Sequence, residues 1–139
     1  MESRFEIVDA RREAVTEILD AFCGSGCGFV VIGSAAALLL GRRVVPRDVD
    51  VVADTPQDRA RAAAALRSLG ARSQMGSGWV PEGRGPLLGQ GVHRFACRAG
   101  WVDVVFRLPN GWGYEELKSS AVHRAVSSDR AVVLSEVSG

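Results

Sequence analysis

Three aspartates are the residues of this chain whose type and spacing suit chemistry. Asp48 and Asp50 stand two apart at the entrance of an apolar run, Asp48-Val49-Asp50-Val51-Val52. Asp103 stands inside a second run, Trp101-Val102-Asp103-Val104-Val105-Phe106. In a strand successive side chains alternate between faces, so Asp48 and Asp50 share one face, roughly 6.5 to 7 Å apart along the backbone. Aspartate is a poor strand residue, and two like charges on one face repel. A bound divalent cation removes both objections, because hard cations take carboxylate oxygens and share them with substrate phosphates. In the second run Val102, Val104 and Phe106 share one face, and Trp101, Asp103 and Val105 the other. Apolar side chains on both faces mark an interior strand, where a carboxylate needs a partner. If the two strands lie side by side, three carboxylates converge. That arrangement suits phosphoryl or nucleotidyl transfer with two metal ions about 3.5 to 4 Å apart.

The elements around Asp48 and Asp50 are legible in Phe29 to Asp54. An apolar, β-rich strand over Phe29 to Ile32 ends at Gly33-Ser34, and Ala35 to Leu40 continues in strong helix formers. Ser34 is a good N-cap, which leaves backbone N–H groups at the helix start free to face an anion. Gly41 stops the helix. A connector carrying Arg42, Arg43 and Arg47 leads to a strand over Val49 to Ala53.

This order of features resembles the nucleotidyltransferase superfamily of the polymerase-beta type in its minimal bacterial form, and within it the AbiEii-type toxin nucleotidyltransferases. The family pattern is a strand, Gly-Gly or Gly-Ser, a helix, Asp-x-Asp on the next strand and a third Asp on a later one. Here these are Gly33-Ser34, Asp48-Val49-Asp50 and Asp103. The family often carries Gly-Arg-x-Arg-x-Thr-x-Asp before the metal strand. The span here is Gly41 to Asp48, with Val44 and Pro46 where the second arginine and the threonine stand. The resemblance covers about residues 10 to 135. It implies a nucleotidyltransferase-like mixed sheet and Mg²⁺-dependent transfer of a nucleoside monophosphate from a nucleoside triphosphate (NTP) to an acceptor hydroxyl. It implies that Asp48 and Asp50 bind two Mg²⁺ ions, with Mn²⁺ as an alternative, and that Asp103 completes the catalytic metal site. Gly33 and Ser34 would hold the triphosphate, and Arg42, Arg43 and Arg47 would neutralise phosphate charge. The acceptor is expected to be RNA such as tRNA in a toxin-like role. The alternatives are an aminoglycoside-like small molecule, or a non-catalytic module that binds a partner protein in an antitoxin-like or regulatory role. A fourth reading has the acids forming surface ion pairs only.

Composition bounds the rest. A length of 139 residues fits one domain, and 47% hydrophobic residues mark a globular chain. A net charge of +1 gives no strong general attraction to nucleic acid. Three cysteines, an odd number, argue against a disulfide framework. The charged N-terminus does not read as a signal peptide and no apolar run approaches membrane-spanning length, so the cytoplasm is expected.

The remaining elements follow from periodicity and punctuation. Asp9 is expected to cap a helix over Ala10 to Phe22, with Val15, Ile18, Leu19 and Phe22 as its apolar stripe. Cys23 to Gly28 reads as a glycine-rich turn, with Cys23 and Cys27 as ordinary thiols. Thr55-Pro56-Gln57-Asp58 opens an alanine-rich helix to about Leu69, with Arg59, Arg61 and Arg67 on a solvated face. A short strand over Ala71 to Met75 precedes a glycine-rich loop, Gly76 to Gly91, which reads as a disordered crossover or, in the fold that the resemblance implies, as a segment near the cleft rim where Trp79 could stack a base and Arg84 grip an acceptor. Val92 to Arg98 and Trp101 to Leu108 form a hairpin around Ala99-Gly100, and His93 is packed or at the surface. A helix over Gly113 to Ser120 and strands over Val122 to Val126 and Arg130 to Leu134 complete an α/β (α+β) fold, a mixed sheet flanked by helices. Similar proteins continue into a C-terminal helical segment, so a homodimer or a covering partner is expected here.

Overall fold

The computed structural model describes residues 4–53, 55–73, 92–127 and 130–135. Among them, four helices and seven strands form a mixed α+β fold. Helix α1 (Arg4–Gly24) is followed by β1 (Val30–Ile32), α2 (Gly33–Leu39), β2 (Asp48–Val52), α3 (Pro56–Ser68) and β3 (Arg72–Ser73). Then come β4 (Val92–Cys97), β5 (Gly100–Val105), α4 (Tyr114–Ser119), β6 (Val122–Ser127) and β7 (Arg130–Leu134). The strands form one sheet in the order β3-β4-β5-β2-β1-β7-β6. β2 runs parallel to β5 and β1 parallel to β7, and the other neighbours are antiparallel.

The valine-rich central strands are covered on both faces, as strands without polar alternation require. On one face Val31, Val49, Val51, Val102 and Val104 meet Ile18, Leu19 and Phe22 of α1, Leu38 of α2 and Leu66 of α3. On the other, Val30, Ile32, Val52 and Val105 meet Leu108 and Leu117 of α4. The three aspartates share this second face, beside the small α4 cluster.

Several boundaries differ from the sequence reading. α1 begins at Arg4, so Asp9 lies inside the helix rather than at its start; no glycine or proline separates Arg4 from Asp9 to stop it. α2 begins at Gly33, with Ile32 as its N-cap and no side-chain cap bond, so Ser34 is its second residue rather than its cap. The β4–β5 turn is Arg98-Ala99, because Cys97 pairs with Gly100. Arg59 is not simply solvated: its guanidinium lies 3.6 Å over the Phe106 ring. His93 packs beside the same ring at 5.1 Å. Burial, and then the nearby Arg59, hold its pKa below the usual value. The span read as a glycine-rich loop, with Trp79 and Arg84, lies outside the described residues, as do Met75, Ser128 and Asp129.

The α3 start behaves as read and does more. Thr55 Oγ1 accepts the Asp58 N–H at 3.1 Å, and the buried Asp58 carboxylate accepts the Thr55 hydroxyl at 2.9 Å and the Gly28 N–H at 2.8 Å. Asp58 thereby ties the strand-entry turn to the helix. Asp58→Ala leaves the partly buried Gly28 N–H without this acceptor and is expected to cost about 2 kcal/mol of stability. A urea titration reads this as a lowered midpoint at unchanged slope.

Candidate metal centre

The strand pairing builds the site. Asp50 pairs with Ile32 of β1 on one side and with Asp103 of β5 on the other, while Asp48 pairs with Trp101. Paired residues point to one face, so the acids of two parallel strands are brought together by register alone. One ligand oxygen from each of Asp48, Asp50 and Asp103 lies within 4.8 Å of the others. Among the described residues no other group of His, Cys, Asp or Glu converges in this way. The three residues chosen from sequence are therefore one constellation.

The electrostatics of the trio are unresolved within the protein. Asp50 Oδ1 is buried and has no hydrogen-bond partner. Burial, then the charge of Asp48, then that of Asp103, push the Asp50 carboxyl up to about 7. A buried carboxylate oxygen without a hydrogen-bond partner, beside two other acids, is one that a cation would suit.

Gly33 closes the site from the β1 side. Its φ is +71°, a conformation that a side chain strains. A Cβ at Gly33 would lie 2.8 Å from Asp50 Oδ2, so glycine lets the backbone approach the carboxylate. Arg42, Arg43 and Arg47 are exposed on the connector between α2 and β2, and Arg47 lines a narrow cleft with Arg11 and Val15 of α1 and with Trp101.

The guanidinium that meets the acids belongs to a residue that the sequence reading passed over. Arg94 of β4 pairs with Asp103 across the hairpin. Its Nε donates to Asp103 Oδ1 at 2.8 Å, and its Nη2 donates to Asp103 Oδ2 at 2.9 Å and to Asp48 Oδ2 at 2.8 Å. The hydrogen bonds to Asp103 raise the Arg94 pKa further above its already high value. The signal was alternation: Arg94 lies on the Asp103 face of a hairpin that the sequence does predict. The Arg94 guanidinium lies 5.6 Å from the Trp101 ring, and Trp101 is 40% exposed beside the acids.

The donor set fits a hard divalent cation: three carboxylates, one of them with a buried free oxygen, and a backbone cradle that a Cβ would fill. Asp48, Asp50 and Asp103 would hold Mg²⁺ or Mn²⁺. Thiol chemistry has no such support. The three cysteines are free, and burial pushes the Cys27 thiol up to about 12. No helix of the described residues is long and apolar enough to cross a membrane. No protein-family model matches the chain, and neither does any curated protein or any solved structure.

The raised Asp50 pKa gives a pH dependence with a definite sign. Between about pH 4, the ordinary carboxylate range, and about pH 7, the folded chain holds a proton on Asp50 that the unfolded chain has released. Stability of the metal-free protein is expected to fall as pH rises through that window. Urea midpoints at pH 5 and pH 8 in a chelator measure it. Asp50→Asn should flatten the dependence, and Mg²⁺ should stabilise wild type more at pH 8 than at pH 5.

Proposed function

We propose that this protein is a Mg²⁺-dependent nucleotidyltransferase. The acceptor hydroxyl would attack the α-phosphorus of an NTP, the bond from that phosphorus to the bridging oxygen would break, and pyrophosphate would leave. The observation that carries this reading is the convergence of Asp48, Asp50 and Asp103 around a buried, unpartnered Asp50 oxygen. When bound, Mg²⁺ ions supply neutralisation of the triphosphate and acidify the acceptor hydroxyl.

The chain's own groups divide the work. Asp48 and Asp50 hold the nucleotide-carrying cation. Asp103, 8% exposed, faces the acceptor side and takes its proton. Gly33 and Ser34 border the triphosphate, with Gly33 against Asp50 supporting that placement. Arg42, Arg43 and Arg47 meet phosphate charge from the exposed connector. RNA is the proposed acceptor, in a toxin-like role in the cytoplasm, with a small molecule as the alternative. A homodimer or an antitoxin-like partner remains part of the proposal.

One rival has an observation in its favour. Arg94 closes an ion-pair network with Asp103 and Asp48, as a purely structural cluster would. Such a cluster gives no reason for the third acid, because Asp50 gains no hydrogen bond from Arg94 and raises the repulsion. Incubation with each α-labelled NTP, with total RNA or an aminoglycoside, in Mg²⁺ or in chelator, tests the reading. Mg²⁺-dependent transfer of label, lost in Asp50→Asn, supports it. Equal labelling by wild type and Asp50→Asn, or none with any NTP and acceptor, contradicts it.

A further inference from the structure

Arg94 occupies carboxylate oxygens that a metal ion at this trio would use. Its three hydrogen bonds use both oxygens of Asp103 and Oδ2 of Asp48, two of the three carboxylates that converge. A divalent cation coordinated by Asp103 meets two oxygens that already accept from the guanidinium, and at Asp48 it meets one, Oδ2. Two cations forced onto the same oxygens also repel. Arg94 and the metal therefore compete.

The surroundings allow the arginine to leave without leaving the site. Its side chain is 47% exposed, whereas that of Asp103 is 11% exposed, so the guanidinium has solvent to move into and the carboxylate does not. The Trp101 ring lies 5.6 Å from that guanidinium and offers a second resting place by cation–π attraction. From β4, next to the acids, a released guanidinium presents a planar fork of donors to any phosphate brought in with the metal.

We propose that Arg94 is an exchangeable counter-ion. It neutralises Asp103 and Asp48 while the site holds no metal, gives way when a divalent cation binds, and then pairs with the phosphate groups of the incoming polyphosphate. This deepens the proposed function and rests on it. It predicts that metal alone binds weakly, that metal with a polyphosphate binds more tightly, and that Arg94 causes both. No covalent bond changes in the exchange.

The test separates Arg94's role from the metal reading. Mn²⁺ binding, followed by electron paramagnetic resonance without nucleotide, is compared in wild type, Arg94→Gln and Asp50→Asn. Arg94→Gln is expected to bind Mn²⁺ at least about tenfold more tightly than wild type, the equivalent of roughly 1.4 kcal/mol. With Mn²⁺ saturating, the same variant is expected to bind inorganic pyrophosphate at least about tenfold more weakly, with Arg94→Lys recovering part of the loss. Removal of any guanidinium this close to the acids tightens metal binding by charge, so the loss of pyrophosphate affinity is what a purely structural arginine would not produce. Wild type that binds Mn²⁺ while Arg94→Gln binds it no better overturns the exchange and leaves the metal reading standing. Wild type and Arg94→Gln that both fail to bind Mn²⁺ overturn the metal reading and the exchange with it.

A second measurement uses wild type alone, whatever the variants do to folding. The Arg94 Nε–H, now donating to Asp103, should give a protected NMR signal in chelator and lose that protection as Mg²⁺ is added. A signal that stays protected after the backbone amide of Asp50 has reached its Mg²⁺-saturated shift contradicts the proposal.

Discussion

Asp103→Asn is expected to lower the rate of nucleotide transfer by at least about a hundredfold while leaving Mg²⁺·NTP affinity within about tenfold of wild type. The two effects separate because the acids have different partners. Asp48 and Asp50 share β2 and hold the cation that carries the nucleotide in the proposed scheme, whereas Asp103 enters from β5. Asparagine keeps the shape of the buried side chain and one acceptor for Arg94. In the proposed scheme it removes the charge that takes the acceptor proton. Asp50→Asn, by contrast, should damage affinity and rate together. Calorimetric titration and a labelled-transfer assay on the two variants read the difference. Near wild-type transfer by Asp103→Asn would remove this residue from the catalytic set.

Gly33→Ala carries the second large effect, through geometry rather than charge. A side chain at φ +71° costs about 1 to 2 kcal/mol, and the new Cβ, 2.8 Å from Asp50 Oδ2, must displace that carboxylate. A total loss of about 2 to 3 kcal/mol should lower the melting temperature by roughly 10 °C. Displacement of Asp50 should also lower transfer by about a hundredfold, as expected of misplaced catalytic groups. Gly41 supplies the control. Its φ is +93°, yet nothing lies within 4 Å of a Cβ there. Gly41→Ala should lose stability through strain alone and keep Mn²⁺ binding. Equal loss of Mn²⁺ binding in both variants would mean that general destabilisation, not the Gly33 contact, sets the effect.

The fold and the acid trio were legible because strands announce themselves by what breaks their pattern. Asp48, Asp50 and Asp103 interrupt valine runs, and only a shared, charged site makes that tolerable. Alternation put Asp48 and Asp50 on one face, and parallel pairing of β2 with β5 placed Asp50 opposite Asp103. Arg94 was harder to see for a specific reason. A turn at Ala99-Gly100 would pair Arg98 with Trp101 and set Arg94 opposite Val105. The actual turn, Arg98-Ala99, shifts the register and sets Arg94 opposite Asp103. Tight-turn choice is a local matter of backbone geometry, and here Gly100, with φ +133°, enters the strand instead of the turn. The start of α1 was missed because Asp9 suits a cap by type, but Arg4-Phe5-Glu6-Ile7-Val8 holds no helix breaker, so the helix begins earlier and Asp9 is its sixth residue. Ser34 likewise fits a cap by type, but the positive φ at Gly33 turns the chain one residue sooner.

The most direct test of the metal centre is anomalous scattering from Mn²⁺ in crystals grown with a non-hydrolysable NTP. The account predicts Mn²⁺ in contact with Asp48 and Asp50, a second site touching Asp103, the triphosphate beside Gly33, and the Arg94 guanidinium moved from the carboxylates to the phosphates. Saturating Mn²⁺ and nucleotide that leave no anomalous density at the three aspartates, with Arg94 still bound to Asp103 and Asp48, would contradict it.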